Sequence, residues 1–186
     1  MAIFEGLKHN EMESIKEIYK IGLGPSSSHT MGPKRAAERF ADKNPDASRY
    51  VVTLYGSLAA TGKGHMTDVA ILNVLEPLAP TEIIWQPDVF LPFHPNGMRF
   101  VAIGSNGAVA DEWTVYSIGG GDIAEEGETR VKNHVYSMTR IADIQCWCET
   151  TGKTYWEYVD ECEGLEVWDY LAHVWDVMKR AVERGI

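Results

Sequence analysis

Short runs of β-branched and aromatic residues dominate the apolar positions in the first two thirds of the chain. Such runs are typical of buried strands. The clearest run predicts a strand at 50–55. Two more strands are predicted at 99–103 and 112–118, on either side of a glycine- and asparagine-containing turn at 104–107.

The pattern changes near Tyr136, where apolar residues begin to recur about every 3.6 positions. This period predicts helices at 138–148, 155–162 and 165–184. The last of them carries a broad apolar stripe, which indicates that it packs against a large surface. The stripe consists of Leu165, Trp168, Leu171, Ala172, Trp175, Met178 and Val182. The chain therefore combines strands with helices.

Shorter signals predict the remaining elements. Alternating apolar and polar residues, cap residues, prolines and acidic runs each mark a segment. They predict an amphipathic helix at 11–19 and a second helix at 32–40. A loop at 56–68 is predicted to lead into a helix at 69–75, capped by Thr67 or Asp68. The later elements are a proline-rich loop with one or two brief strands at 77–95, an exposed acidic linker at 122–128 and a strand at 130–135.

A loop of hydroxyl and imidazole side chains leads directly into the helix predicted at 32–40. It contains Ser26, Ser27, Ser28, His29 and Thr30. The glycine and proline that follow suit a helix start, because proline is favoured at the first helical position. Free amide groups and the positive end of the helix dipole then favour a carboxylate or phosphate beside the hydroxyls. The alternative is an elaborate helix cap, since serine and threonine are common before helices.

Three of the six histidines share a similar context. His29, His65 and His94 each lie in a turn rich in glycine, proline, serine or asparagine, next to a predicted helix or strand start. Histidine titrates near neutral pH and is therefore suited to general acid or base catalysis. A shared site is one interpretation, and three unrelated structural histidines are the other.

Composition limits the classes of function. The 186 residues are 45% hydrophobic and 24% charged, which is typical of a soluble globular protein. The formal net charge of −10 argues against a nucleic-acid-binding surface. No segment is apolar and long enough to cross a membrane, and the mixed charges at the start of the chain do not resemble a signal peptide. We therefore expect a cytoplasmic protein.

Cys146, Cys148 and Cys162 raise the question of a metal site, because three thiolates can hold an iron–sulfur cluster. However, Cys146 and Cys148 are two positions apart on a predicted helix and point about 200° away from each other. Free cysteines are often simply buried. We therefore expect the three cysteines to be structural core residues and no metal ligands in this chain.

Taken in order, five motifs resemble the β domain of the iron–sulfur-dependent bacterial L-serine dehydratases, also called L-serine ammonia-lyases. The resemblance extends over nearly the whole chain, since residues 170–175 and 184–186 are similar to the family's connection to its α domain. The motifs are Gly24-Pro-Ser-Ser-Ser-His-Thr-Met-Gly-Pro33, Tyr55-Gly-Ser57, Thr61-Gly-Lys-Gly-His-Met-Thr-Asp68, His94-Pro-Asn-Gly-Met-Arg-Phe100 and Tyr116-Ser-Ile-Gly-Gly-Gly121.

The resemblance implies a lyase that converts L-serine to pyruvate and ammonia with a [4Fe–4S] cluster. It implies that the cluster is held by the family's α domain, and that His65 and His94 are the candidates for the catalytic base. The substrate-binding residues that it implies are Ser26, Ser27, Ser28, His29, Thr30, Thr67, Asp68, Asn96, Gly97, Gly119 and Gly120.

The resemblance also implies an α/β (α+β) fold with a mixed β-sheet packed with helices, like the allosteric substrate-binding domain of phosphoglycerate dehydrogenases. Residues 1–135 would form the β domain, and residues 136–186 a helical segment leading to an α domain or α subunit, in a homodimer or heterodimer. The chain departs from the family pattern in a shorter segment between Asp68 and His94 and in Asp122, where an aromatic residue is usual. The alternative function is a regulatory module that binds serine or another small carboxylate without catalysis.

Overall fold

The computed structural model describes residues 12–128 and 133–186, and the chain divides into two compact units. One unit is Gly22–Arg130, and the other combines Met1–Ile21 with Val131–Ile186. The predicted division into 1–135 and 136–186 stays a prediction.

In chain order the strands and helices are β1 (Met12–Glu13), α1 (Gly32–Lys43), β2 (Arg49–Tyr55), α2 (Gly56–Thr61), α3 (Thr67–Leu75), β3 (Thr81–Gln86), β4 (Gly97–Ile103), β5 (Val109–Gly119), β6 (Asp122–Ala124), β7 (His134–Tyr136), α4 (Ile141–Thr151), α5 (Tyr155–Glu163) and α6 (Glu166–Gly185).

A five-stranded mixed sheet forms the centre of the unit Gly22–Arg130. Its strand order is β3-β2-β4-β5-β6. β3 runs parallel to β2, and the other neighbouring pairs are antiparallel. This confirms the predicted α/β class with a mixed sheet, whereas the likeness to the phosphoglycerate dehydrogenase domain stays a prediction.

Helix α1 packs its apolar face on this sheet. Ala36, Ala37 and Phe40 are fully buried on that face, because they recur at helical spacing. The Phe40 ring lies 5.4 Å from that of Phe100 on β4. On β2 the alternate residues Tyr50, Val52 and Leu54 are also fully buried, as the two-residue period of a strand requires.

The connection from β2 to its parallel neighbour β3 passes through α2 and α3. The prediction of a loop at 56–68 is wrong for its first half, where α2 forms one and a half turns. The predicted caps are also wrong. Met66, in the left-handed conformation with φ of 56°, precedes α3, while Thr67 is the first residue of that helix. This crossover brings His65 back toward the segment that precedes α1.

The second unit contains the strand pair β1 and β7 and the helices α4, α5 and α6. The predicted helix at 11–19 is wrong in the part that the structure describes, where β1 and a 3₁₀ turn (Ile15–Glu17) occur instead. Ser14 explains the break. Its hydroxyl accepts from the Lys16 amide and donates to the Glu163 carboxylate at 2.7 Å.

The three C-terminal helices are confirmed, with shifts at their ends. Within the described residues the apolar stripe of α6 is uncovered at Trp175 and Val182, which are 59% and 62% exposed, whereas the neighbouring positions Val167 and Val174 are buried. That the stripe packs against a large surface stays a prediction. The acidic linker begins as β6. Residues 130–132 of the strand predicted at 130–135 lie outside the described residues, and β7 begins at His134. None of the described helices has the length and apolar character needed to cross a bilayer.

Candidate functional site

Residues 26–31 form a tight turn, here called the serine turn, that continues into α1. Residues Ser27–Met31 make one π-helical turn, which Ser26 caps. The Ser26 hydroxyl accepts from the His29 amide at 3.2 Å, and the Ser26 carbonyl accepts from the amides of Thr30 and Met31. Amides in the first turn of a helix have no acceptor within it. The amides of Ser27 and Ser28 therefore point out of the helix start, beside the exposed Ser27 side chain.

Two threonine hydroxyls lock the serine turn to the loop that carries His65. Thr30 donates to the carbonyl of His65 at 2.8 Å, and Thr67 donates to the carbonyl of His29 at 2.5 Å. Both threonines are buried, with 2% and 0% of their surface exposed. Their hydroxyl protons are used inside the protein, so both threonines hold the two histidine-bearing segments together.

The imidazole rings of His29 and His65, here called the histidine pair, lie 4.9 Å apart between centroids and are tilted by 42°. A serine hydroxyl lies at each nitrogen of the His29 ring. Nδ1 is 3.0 Å from Ser28 Oγ, and Nε2 is 3.3 Å from Ser57 Oγ. Burial is the main cause that lowers the pKa of His29 below its ordinary value, and the nearby His65 lowers it further. His29 is therefore neutral at pH 7.

The ring of His65 has a defined tautomer. Its Nδ1 lies 2.9 Å from the carbonyl oxygen of Thr61, which can only accept a hydrogen bond. Nδ1 must therefore carry the proton. In the neutral ring Nε2 is then unprotonated and can accept a proton, as a general base requires.

His94 has the opposite tautomer. Its Nδ1 accepts a hydrogen bond from the Asn96 amide at 3.1 Å, so in the neutral ring Nε2 carries the proton. Burial lowers the pKa of His94, which keeps the ring neutral at pH 7. The same loop is tied to α2, because the Ser57 amide donates to the carbonyl of Pro95 at 3.0 Å. His94 is thus a hydrogen-bond donor, whereas His65 is an acceptor.

Asn96 and Ser117 link the His94 loop to the start of α1. The Asn96 side-chain amide donates to the Ser117 carbonyl at 3.3 Å, and the Ser117 amide donates to the Asn96 carbonyl at 3.0 Å. Ser117 is fully buried against Gly32, where any side chain would overlap its hydroxyl. Within the described residues, Asn96 Oδ1 and Ser117 Oγ have no hydrogen-bond partner.

Three glycines, beginning with the last residue of β5, form a turn that L-residues would adopt only with strain. Gly119, Gly120 and Gly121 have φ angles of 102°, 61° and 80°. A Cβ on Gly121 would lie 3.3 Å from the Met31 side chain, so this turn borders the serine turn. Asp122 fixes its far end through an ion pair with Arg35 of α1 at 3.0 Å.

The structure brings most of the predicted site residues into one connected network. Asp68 is outside it, because its carboxylate accepts from the adjacent Val69 amide. Gly97 has a packing role, since a Cβ there would lie 2.7 Å from Leu91. Ser26, Ser28, His29, Thr30, His65 and Thr67 are linked through direct contacts. His94 and Asn96 join them through Ser57, which contacts His29 and whose amide donates to the Pro95 carbonyl, and Gly119 and Gly120 lie in the bordering turn.

Three residues of the network were not predicted as site residues. Ser57 contacts His29, Thr61 sets the tautomer of His65, and Ser117 joins the Asn96 loop to α1. The sequence signal that could have indicated Ser57 is its position directly after a glycine at the end of a predicted strand. Thr61 and Ser117 act through backbone groups or packing, which leave little trace in a single sequence.

The three cysteines lie in the second unit and not in its core. Cys146 is exposed, so its predicted burial is wrong, and Cys148 and Cys162 are half-buried. Cys146 and Cys148 belong to α4, and Cys162 belongs to α5. Among residues 12–128 and 133–186, no three histidine, cysteine or acidic side chains are placed to hold a metal ion. An iron–sulfur cluster therefore does not fit the described side chains.

Comparisons with known proteins agree on one family. The family model described as serine dehydratase beta chain matches residues 14–83 and 75–128. The chain is 34% identical to L-serine dehydratase 2 of Escherichia coli (strain K12) over 225 aligned positions, which cover 94% of this chain and 49% of that protein.

It is also 31% identical to L-serine dehydratase 1 of the same organism, with the same shares covered. With L-serine dehydratase of Mycobacterium tuberculosis (strain CDC 1551 / Oshkosh) it shares 38% identity over 152 positions, covering 61% of this chain and 33% of that protein. The chain spans about half the length of the Escherichia coli relatives.

Proposed function

The chain belongs to the serine dehydratase beta chain family, and on that premise we propose that it is the β portion of an L-serine dehydratase. The reaction removes the α-proton and the β-hydroxyl of L-serine as water, leaving 2-aminoacrylate. This enamine tautomerises to an imine, which water hydrolyses to pyruvate and ammonia. The chain must therefore supply a base, a group that assists the leaving hydroxyl, and a site for the carboxylate.

The tautomer of His65 is the observation that carries the proposal. Because the Thr61 carbonyl holds the proton on Nδ1, the neutral ring offers the lone pair of Nε2. The Thr30 and Thr67 hydroxyls fix the His65 loop against the serine turn. We assign the removal of the α-proton of serine to Nε2 of His65.

The serine turn supplies the site for the substrate carboxylate. The amides of Ser27 and Ser28 and the exposed hydroxyl of Ser27 are at the start of a helix, where the dipole favours an anion. A carboxylate bound there is near the histidine pair, because Ser28 contacts the ring of His29. Ser27 would therefore contribute to substrate binding in both the ground state and the transition state.

His94 is assigned to the leaving hydroxyl. Its Nε2 carries a proton in the neutral ring and can donate a hydrogen bond to the departing oxygen. Because Nδ1 of His94 already accepts the Asn96 amide, the neutral ring has no free lone pair for the α-proton. The opposite tautomers of His65 and His94 thus support two different roles in one elimination.

The α portion of the family is the proposed location of the [4Fe–4S] cluster, which supplies a Lewis acid for the substrate hydroxyl when it is present. The described residues of this chain contain no fitting ligand set. The partner is an α domain or α subunit, the assembly a homodimer or heterodimer, and the location the cytoplasm. We expect this chain alone to fold but to release no pyruvate from serine, because elimination of hydroxide without a Lewis acid is slow.

The test uses this chain assembled with a serine dehydratase α portion. Pyruvate formation and exchange of the serine α-hydrogen in D₂O are measured for His65→Gln, His94→Gln and the wild type. His65→Gln should reduce both rates by on the order of 10²–10⁴. His94→Gln should reduce turnover more than exchange, since proton removal precedes departure of the hydroxyl.

His173→Gln is the matched control, because His173 is an exposed residue of α6. Its rates should equal those of the wild type. If His65→Gln shows wild-type rates of exchange and turnover, His65 is not the base that removes the α-proton. Serine binding by the assembled wild type without any pyruvate would favour the regulatory module.

A further inference from the structure

Both ring nitrogens of His29 already have a hydroxyl partner, so His29 itself is poorly placed to take a proton from substrate. One partner, Ser28, is its neighbour in the chain. The other, Ser57, comes from α2, a separate element. We infer that Ser57 is a positioning residue: together with Ser28 it clamps the His29 ring, and that ring fixes the orientation of His65. This inference rests on the proposed function of His65.

A second connection also runs from Ser57 to His65, along α2. The carbonyl of Ser57 accepts from the Thr61 hydroxyl at 3.0 Å, and the carbonyl of Thr61 accepts from His65 Nδ1 at 2.9 Å. The side chain and the backbone of Ser57 therefore reach the same imidazole by different routes. Replacing the hydroxyl interrupts only the route through His29.

The position of Ser57 is itself well defined. Its amide donates to the Pro95 carbonyl, and the preceding Gly56 has φ of 49°, which sets the direction in which α2 leaves β2. A Cβ on Gly56 would lie 2.7 Å from the Pro95 oxygen, so the backbone of the two segments is in close contact. A hydroxyl presented from this backbone can hold a ring in one orientation.

The proposal predicts a loss of order in the histidine pair when the hydroxyl is removed. In Ser57→Ala, the His29 ring retains only its hydrogen bond with the neighbouring Ser28 and can rotate. The ring of His65, 4.9 Å away, then loses a fixed surface on one side. Because proton transfer depends on sub-ångström placement, turnover should decrease by on the order of 10- to 100-fold. The apparent KM for serine should change little, since the hydroxyl of Ser57 binds His29.

The first measurement uses the full chain by itself and needs no activity. Inter-ring NOEs between His29 and His65, and the ¹⁵N chemical shifts of both rings through a pH titration, are recorded for the wild type, Ser57→Ala and Ser57→Thr. The wild type and Ser57→Thr should show the NOEs and a coupled titration. Ser57→Ala should lose both. Ser105→Ala, in an exposed turn, is the control and should match the wild type.

The second measurement uses the assembled enzyme. Ser57→Ala should lower kcat and change the acid limb of the pH–rate profile, and Ser57→Thr should restore both. Wild-type NOEs and a wild-type pH profile in Ser57→Ala would overturn the positioning role. If the assembled wild type does not act on serine, the proposed function fails, while the NMR result still decides whether Ser57 orders the histidine pair.

Discussion

The hydroxyl of Thr67 donates to the backbone carbonyl of His29, and the hydroxyl of Thr30 donates to that of His65. Each histidine-bearing segment thus provides a threonine that satisfies the carbonyl of the other histidine. Two segments 35 residues apart in the chain are held together by a reciprocal pair of buried bonds. The site is rigid where the imidazoles leave the backbone.

We predict that Thr67→Val and Thr30→Val each destabilise the unit Gly22–Arg130. Each leaves a histidine carbonyl without its donor, at a cost of about 1–3 kcal/mol. Because the two bonds join the same segments, the double variant should lose less stability than the sum of the single losses. Native-state hydrogen exchange of the β2 and β4 amides measures the free energies of unfolding for this unit.

Thr67→Ser is the control for the threonine variants, because it retains the hydroxyl and loses only a methyl group. It should unfold closer to the wild type than Thr67→Val does. Strictly additive losses in the Thr30 and Thr67 double variant would show that the two bonds act independently.

Gly56→Ala should destabilise the chain and displace the His94 loop. The residue has φ of 49°, and a Cβ would lie 2.7 Å from the Pro95 oxygen and 2.9 Å from the Phe90 ring. Backbone strain and the clash together should cost about 2 kcal/mol or more. Gly107→Ala separates the two effects, because φ there is 77° with no atom within 4 Å of the added Cβ. Equal losses of stability in both variants would contradict the clash.

Stability should decrease as the pH falls from about 7 to about 5.5. Burial, with His65 nearby, lowers the pKa of His29, and burial lowers that of His94. Below the ordinary histidine pKa these two histidines are therefore more fully protonated in the unfolded chain than in the folded chain, so a lower pH favours unfolding. For each histidine, the free energy of unfolding should change by at most about 1.4 kcal/mol per pH unit. His94→Gln should flatten the profile measured by urea unfolding, and an unchanged slope would contradict burial as the cause.

Ser14→Ala should destabilise the second unit. Burial alone would raise the pKa of Glu163, but hydrogen bonds from the Ser14 hydroxyl and the Ile15 amide outweigh it, and the pKa is lowered. Removing one hydrogen bond to a charged group costs about 1.5–3 kcal/mol. Hydrogen exchange of the β1 and β7 amides should accelerate, while exchange in β2 should stay unchanged. Equal acceleration in β2 would show that Ser14 does not act locally.

The strands of the sheet could be predicted because their residues meet two requirements at once. At 50–55 all side chains but Leu54 are β-branched or aromatic, and the side chains are alternately buried. The helix predicted at 11–19 fails because helical spacing is also met by a short strand followed by a turn. Which side of α6 packs within this chain could not be predicted for a related reason, since apolar residues cover more than one side of that helix and their spacing does not say which side is buried.

The residue types of the site could be predicted from the sequence, but their arrangement could be predicted only in part. The hydroxyl and imidazole residues stand out because glycine and proline surround them. The tautomers of His65 and His94 could not be predicted, because they depend on the carbonyl of Thr61 and the amide of Asn96. Backbone groups are present at every position, so the sequence does not indicate which of them reaches an imidazole.

The π-helical turn at Ser27–Met31 makes this site sensitive to chain length. A regular α-helix advances 100° per residue, and a π turn accommodates one residue more than an α-helical turn. Deleting Ser28 would convert the turn to regular helix and rotate the residues before it relative to α1. A substitution in the serine turn changes one side chain and keeps the backbone register, whereas a single deletion would separate Ser26 from the His29 amide that it caps.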